Sequence, residues 1–249
     1  MKPAKSTKTL CRGLLVTLFW LGIWQAASML VAKPVLFASP LDTLKALLEL
    51  LPTGDYWRSV FGSLGRISLG FLLGLLLGLL LGVASFRFRL LRTLLSPLLT
   101  LMKTVPVASF IILILVWFGS AWLAVIVALL IVLPQIYFSA LSGLESTDRT
   151  LLELAKVFRV PGGRTAWGIY RPALMPYLTG SCASALGMSW KAGIAAEVIG
   201  TPLRSIGEQM YLSKVYMATA ELFAWTMTVI LLSTVLEKLL LRLLRSLGT

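Results

Sequence analysis

Apolar residues in this chain come in long unbroken runs, not at alternating positions or at every third or fourth position. They extend roughly over Gly13 to Ala32, Leu64 to Ser85, Val105 to Phe118, Ala121 to Leu141, Leu174 to Ile199 and Glu221 to Leu241. About 20 apolar residues wound as a helix match the thickness of a bilayer's hydrocarbon core. The pattern therefore predicts an all-α integral membrane protein of about six transmembrane helices, forming one domain over residues 1–249.

Between the runs the chain changes character. Lys2, Lys5, Lys8 and Arg12 precede the first run, which would also describe a secretory signal peptide ending near Ala26-Ala27-Ser28. Its length, and Trp20 and Trp24 within it, favour a retained helix. Pro34, Pro40, Pro52 and Gly54 punctuate the next stretch. There Leu41 to Leu51 reads as a short amphipathic helix, with Ser39 as N-cap and Pro40 at its first position. A basic stretch carrying Arg87, Arg89, Arg92 and Lys103 surrounds a moderately apolar segment broken by Pro97 and Pro106. Gly119-Ser120 is a very short turn between the third and fourth runs.

In the second run Gly70, Gly74, Gly78 and Gly82 recur at every fourth position and form a stripe on one helix face. Small residues so spaced let a second backbone approach closely. The partner could be a helix of this chain or of another subunit.

Composition agrees with the pattern. The chain is 58% hydrophobic and 13% charged, with a mean hydropathy of +0.90, about half the charge of a soluble domain. Its net charge of +13 is spread along the flanks of the apolar runs, so it makes no continuous face for nucleic acid and points instead to anionic lipid. With the N-terminus inside, the inner segments hold 16 Lys and Arg residues and the outer segments 5. The positive-inside rule then puts both termini in the cytoplasm. No histidine occurs, which removes the commonest general base and metal ligand. Cys11 and Cys182 lie at or in apolar runs and suggest neither a disulfide nor a metal site. No phosphate-binding loop is present, so any ATP must be bound elsewhere.

The polar loop at 142–172 holds most of the remaining information. Thr150 and Glu153 have the spacing of a capping box, predicting a short helix to about Arg159 that Val160-Pro161-Gly162-Gly163 ends. Leu151, Leu152, Leu154, Ala155 and Phe158 give it an apolar side, which must pack either on its own bundle or on a partner. A second helical piece leads through Ile169 and Pro172 into the fifth run.

These residues resemble a known pattern. Permeases of ATP-binding-cassette importers carry a cytoplasmic motif of Glu-Ala-Ala, three residues, Gly, nine residues and Ile-x-Leu-Pro. Here Glu153, Leu154, Ala155, Arg159, Ile169 and Pro172 stand in that register, and the run Ser189 to Gly200 resembles the nitrate, sulfonate and taurine branch. Two positions depart from it: Arg159 replaces the motif's Gly and Arg171 its Leu, with Pro161, Gly162 and Gly163 expected to supply the turn slightly later.

The resemblance implies a type I importer permease bundle in the bacterial cytoplasmic (inner) membrane. Its loop would be a coupling helix docking on a separate P-loop ATPase, which binds the ATP and Mg. It also implies two permease copies, an extracytoplasmic solute-binding protein, and no enzymatic activity or cofactor in this chain. The solute would be small, with a sulfonate- or nitrate-like anion favoured.

Lys191 and Glu197 are ionisable residues within a span, and such residues usually face a partner or a cavity. Six residues apart, they lie about 240° apart around a helix and are poorly placed to pair. Met188, Trp190, Lys191 and Glu197 are candidate pathway residues, with packing or ion pairing as the plainer role of each. An ion- or proton-coupled secondary transporter or channel is the rival class. It would need a relay built from Glu197, Glu221 and Glu237, because Asp42, Asp55 and Asp148 all lie outside the runs. A membrane enzyme lacks any catalytic constellation.

Overall fold

Hydrocarbon offers the backbone no hydrogen-bonding partner, so a chain this apolar must satisfy its amides inside helices. A computed structural model describes residues 7–33 and 35–248, and all regular structure among them is helical. Lys2, Lys5 and Pro34 lie outside the described residues, as do the side chains of Lys8, Cys11, Arg12 and Arg245. The helices are α1 (Thr7–Val31), α2 (Pro40–Leu50), α3 (Gly54–Arg87), α4 (Arg89–Thr104), α5 (Val107–Glu145), α6 (Arg149–Val157), α7 (Gly162–Thr165), α8 (Arg171–Gly200), α9 (Ile206–Val215) and α10 (Thr219–Gly248), with a π turn at Ala166–Tyr170. By length and composition α3 and α5 can each cross a bilayer. Two compact units divide the chain: the residues up to Trp57 with Gln209–Thr228, and Arg58–Glu208 with the chain from Val229 on.

The first unit is tied together by aromatic rings. Trp24 of α1 stacks on Phe223 of α10 with centroids 5.6 Å apart, and Phe37 meets the same ring edge-on. Tyr56 stacks on Trp225 at 5.0 Å and its hydroxyl hydrogen-bonds Thr228 at 3.0 Å. The expected start of α2 is found: the Asp42 amide donates to Ser39 Oγ at 3.1 Å and Pro40 opens the helix.

In the second unit the glycine stripe of α3 lies against α5. A methyl at Gly70 would collide with the Val125 carbonyl. One at Gly74 would sit 2.8 Å from Val132 Cβ, at Gly78 2.7 Å from Leu133 O and at Gly82 2.8 Å from Ala140 Cβ. The partners advance with the stripe, so α3 and this part of α5 run parallel. Leucines 69, 72, 76 and 80 on the other side of α3 are exposed. Glycine inward and leucine outward reverses the soluble pattern and suits a lipid solvent.

One expectation changes here. The segment around Pro97 is a helix, α4, not a connecting stretch. Arg92 pairs with Glu145, Ser96 Oγ lies 3.3 Å from the Tyr137 hydroxyl, and Leu99 shares a core with Leu133 and Tyr137. So α4 runs antiparallel along α5, and Lys103 lies over the Phe138 ring, well away from the Arg92 end. The expected turn at Gly119-Ser120 is found: Gly119, with φ of 73° and ψ of −178°, breaks α5 into arms 107–118 and 120–145. This backbone region is open essentially only to glycine. Ile111 and Ile114 share one core with Leu123, Val127 and Ala196, so the arms fold back on each other. Twelve helical residues reach only about 18 Å, and α4 supplies the rest of that antiparallel path.

Helix α8 completes the unit, antiparallel to the second arm of α5. Gly143 lies against Leu174 and Tyr177, Ser181 Oγ donates to Gln135 O at 3.3 Å, and Gly200 lies against Leu123. Successive paths thus alternate in direction. The connections at 87–89 and 146–171 lie at one end, and those at 119 and 201–205 at the other.

Candidate coupling loop and charges in the bundle

The connection from α5 to α8 starts with a cap two residues earlier than expected. Asp148, not Thr150, is the N-cap of α6: its Oδ1 accepts from the Thr150 amide at 2.8 Å. Asp and Thr are both good caps, and the helix simply begins at Arg149. Glu153 is therefore released from capping; it is exposed and makes no hydrogen bond or ion pair among the described residues.

The end of α6 also differs. Arg159, at φ 50°, is itself the left-handed residue that closes the helix. The Val160 amide donates to Ala155 O at 2.8 Å and the Arg159 amide to Lys156 O at 3.1 Å, the two bonds of a Schellman turn. Gly162 and Gly163 instead begin α7 with ordinary φ. Beyond them, Pro172 has no amide to donate and its ring crowds the carbonyl of Gly168. The helical register widens there into the π turn, across which the Arg171 amide donates to Ala166 O. Arg171 lies over the Trp167 ring at 4.0 Å, and Ile169 is half-buried.

Burial sorts the apolar residues of α6. Ala155 is buried and Leu152 half-buried, whereas Leu151 and Leu154 are each 47% exposed and Val157 and Phe158 75%. The exposed four span an arc of about 120°. Val157 was missing from the expected apolar side, because a helix of nine residues is too short for its pattern to show which way it faces.

Glu197 sits at the other end of α8 in a polar cluster. It is fully buried, and Arg66 of α3 donates from Nε to its Oε1 at 3.0 Å. Ser63 Oγ donates to Oε2 and accepts from the Ile206 amide at 2.8 Å. Arg66 Nη2 also donates to Arg204 O at 3.0 Å, tying down the 201–205 connection. Approach is close enough that a methyl on Gly62 would collide with Arg204 O, and one on Gly207 with Glu197 Cβ. Arg66 was legible as an isolated cation in an apolar run of sign opposite to Glu197, but nothing local linked the two.

The remaining candidates divide between two faces of α8. Met188 (51% exposed) and Lys191 lie outward in a row with Ser184 and Ala195. Lys191 has no hydrogen-bond or ion-pair partner among the described residues. Trp190 is buried with its Nε1 unpartnered.

Residues 74–247 match the family of binding-protein-dependent transport system inner membrane components. The chain belongs to this family. It is similar to the taurine transport system permease protein of Escherichia coli (strain K12), at 26% identity over 94% of this chain and 87% of that protein. It is also similar to a putative aliphatic sulfonates transport permease protein of Bacillus subtilis (strain 168), at 25% identity with 90% and 81% covered. A riboflavin transport system permease protein of Chloroflexus aurantiacus is 30% identical, with 92% and 89% covered. The chain is thus a permease subunit of an ABC importer, as the motif in α6 and the run after Ser189 implied. The family match encloses the whole connection from Arg149 to Arg171 and the buried Glu197, while Ser63 and Arg66 lie before its first residue.

Proposed function

We propose that this permease subunit carries a small anionic solute, of the sulfonate or nitrate kind, across the bacterial cytoplasmic membrane by alternating access. A separate P-loop ATPase drives it, docking on the exposed arc of Leu151, Leu154, Val157 and Phe158. That arc is the observation that carries the reading. Apolar side chains on a helix flanked by Lys156, Arg159 and Arg164 are ill suited to an open cytoplasmic face and well suited to a protein groove. Glu153, at the rim of the arc, is free to meet a cation of the partner. The chain itself binds no nucleotide and catalyses nothing; hydrolysis belongs to the ATPase.

Six crossings with both termini in the cytoplasm complete the proposal: α1, α3, α4 continued by 107–118, 120–145, α8 and α10. The alternating directions within the second unit support this path. Arg87, Arg89, Arg92 and the five basic residues of 149–171 gather at one end, while Trp117, Phe118 and Trp122 are exposed about the Gly119 turn at the other. The outward row of Ser184, Met188, Lys191 and Ala195 mixes small and polar side chains with a single methionine where a lipid-facing row would be leucine. It fits a pathway formed against a second copy of the permease, with Lys191 offering a charge to an anion. An extracytoplasmic binding protein delivers the solute. Relatives named for taurine and for aliphatic sulfonates favour an anion, although one is named for riboflavin.

Affinity purification of the chain from its native membrane in mild detergent tests the reading. A P-loop ATPase should accompany it in stoichiometric amount, and vesicles holding the complex should take up solute only with internal ATP. A chain that purifies alone and transports without ATP would place it among secondary transporters.

A further inference from the structure

The basic end of α3 and α4 encloses a cavity of about 650 Å³ whose polar lining is Ser85, Arg87, Arg89, Arg92, Thr93 and Ser96. Arg92 is paired with Glu145, but the side chains of Arg87 and Arg89 have no partner among the described residues. Helix α4 starts here without a side-chain cap and without an acidic residue in its first turn. Its free amides and positive dipole end add to the arginines instead of offsetting them. Ser85 is 1% exposed, lines this cavity, and its Oγ has no hydrogen-bond partner. A buried hydroxyl left unbonded is destabilising, so a hydroxyl left in this way points to an acceptor that occupies the cavity. Two free guanidinium groups, an open helix N-terminus and a buried hydroxyl donor together describe a site for a phosphate-type oxyanion.

A second cavity, of about 470 Å³, shares Phe86 and Arg87 with the first. Its other walls include Val83, Leu144, Tyr170 and Leu174, with Arg171 at its edge. A free inorganic anion would have no use for this apolar extension. An amphiphile with a phosphate at one end and a hydrocarbon chain at the other matches both.

We propose that the two neighbouring cavities, which share Phe86 and Arg87, together bind an anionic phospholipid, its phosphate at Arg87, Arg89 and Ser85 and an acyl chain along Val83, Phe86 and Leu174. The lipid would then touch α3, α4, the end of α5 and the π turn before α8, and so brace the base of the 146–171 connection.

Native mass spectrometry of the full-length protein, titrated with phosphatidylglycerol or phosphatidylcholine, tests this directly. Wild type should retain phosphatidylglycerol in preference to phosphatidylcholine, and R87Q/R89Q should lower that preference about tenfold. S85A should lower it severalfold while keeping every charge. R149Q/R164Q removes two arginines from the neighbouring connection and should leave it unchanged. Equal retention of the two lipids, or an equal loss in R149Q/R164Q, would reduce the effect to general surface charge and overturn the proposal. Displacement of bound phosphatidylglycerol by millimolar inorganic phosphate would mark the cavity as a site for a free anion and overturn the lipid assignment.

Discussion

Arg159 stands where helices usually end on glycine, and its backbone is strained in consequence. A side chain in the left-handed region costs roughly 1 kcal/mol relative to glycine. The same device ends other helices of the chain: Ala32 (φ 51°) after α1 and Met217 (φ 55°) after α9. This is why the sequence, which ends the helix at about Arg159, assigns the turn to the following Val160-Pro161-Gly162-Gly163: the usual glycine signal is absent at Arg159 itself. Arg159→Gly should relieve the strain without altering the two Schellman hydrogen bonds. Amide exchange at Phe158 and Val160, read by mass spectrometry, should slow by about fivefold, the equivalent of ~1 kcal/mol. Faster or unchanged exchange would show that the arginine side chain stabilises the turn in some other way. The buried pair of Glu197 and Arg66 presents the opposite case. Glu197 stood out in its apolar run and Arg66 was passed over in another, because their pairing depends on the register of α8 against α3, which neither run encodes alone.

At the scale of elements, α6 is the piece most exposed to test. Its nine residues bury only Ala155 fully, too little to hold a helix by its own packing. The connection that carries it therefore gains from a partner. Replacing Leu151, Leu154 and Phe158 together with serine removes most of the outward apolar arc and touches nothing buried. The variant should fold and reach the membrane, yet fail to retain the ATPase and lose at least about tenfold in uptake, given that a central apolar cluster carries most of an interface's energy. Wild-type uptake with ATPase still bound would remove α6 as the coupling element. Helix α4 shows where element reading fell short. Leu90, Leu94, Leu98 and Leu101 are exposed while Leu99 is buried, so apolar residues occupy both faces. Pro97 and three basic residues, Arg89, Arg92 and Lys103, masked a helix whose outer side is apolar.

For the whole molecule, the testable statement is orientation. On a background with Cys11 and Cys182 replaced by serine, Ser120→Cys next to the Gly119 turn should react with a membrane-impermeant maleimide in spheroplasts. Thr165→Cys in the α6–α8 connection should react only after the membrane is opened. The reverse pattern would invert the proposed topology and put the ATPase surface on the wrong side. Among the described residues α3 and α5 are each long and apolar enough to cross a bilayer, and the other crossings rest on the apolar runs of the sequence and on the alternating directions of the second unit. Helix α8, rich in Gly, Ala and Ser, buries one face against α5 and needs no uniform lipid coat.

The sequence by itself determined the solvent, the class and the place of the informative loop. A bilayer demands apolar length and internally bonded backbone from each segment separately, and those demands can be read along one dimension. It also determined the start of α2 and the register of the motif at Glu153, Ile169 and Pro172, which depend on neighbours a few residues apart. Tertiary structure alone decided the partnership of α4 with the first arm of α5, the joining of Glu197 to Arg66 and Ser63, and the outward arc of α6. In lipid a buried face and an exposed face are both apolar, so the pattern that betrays the inner side of a soluble helix is missing, and only the meeting of helices shows which side is which.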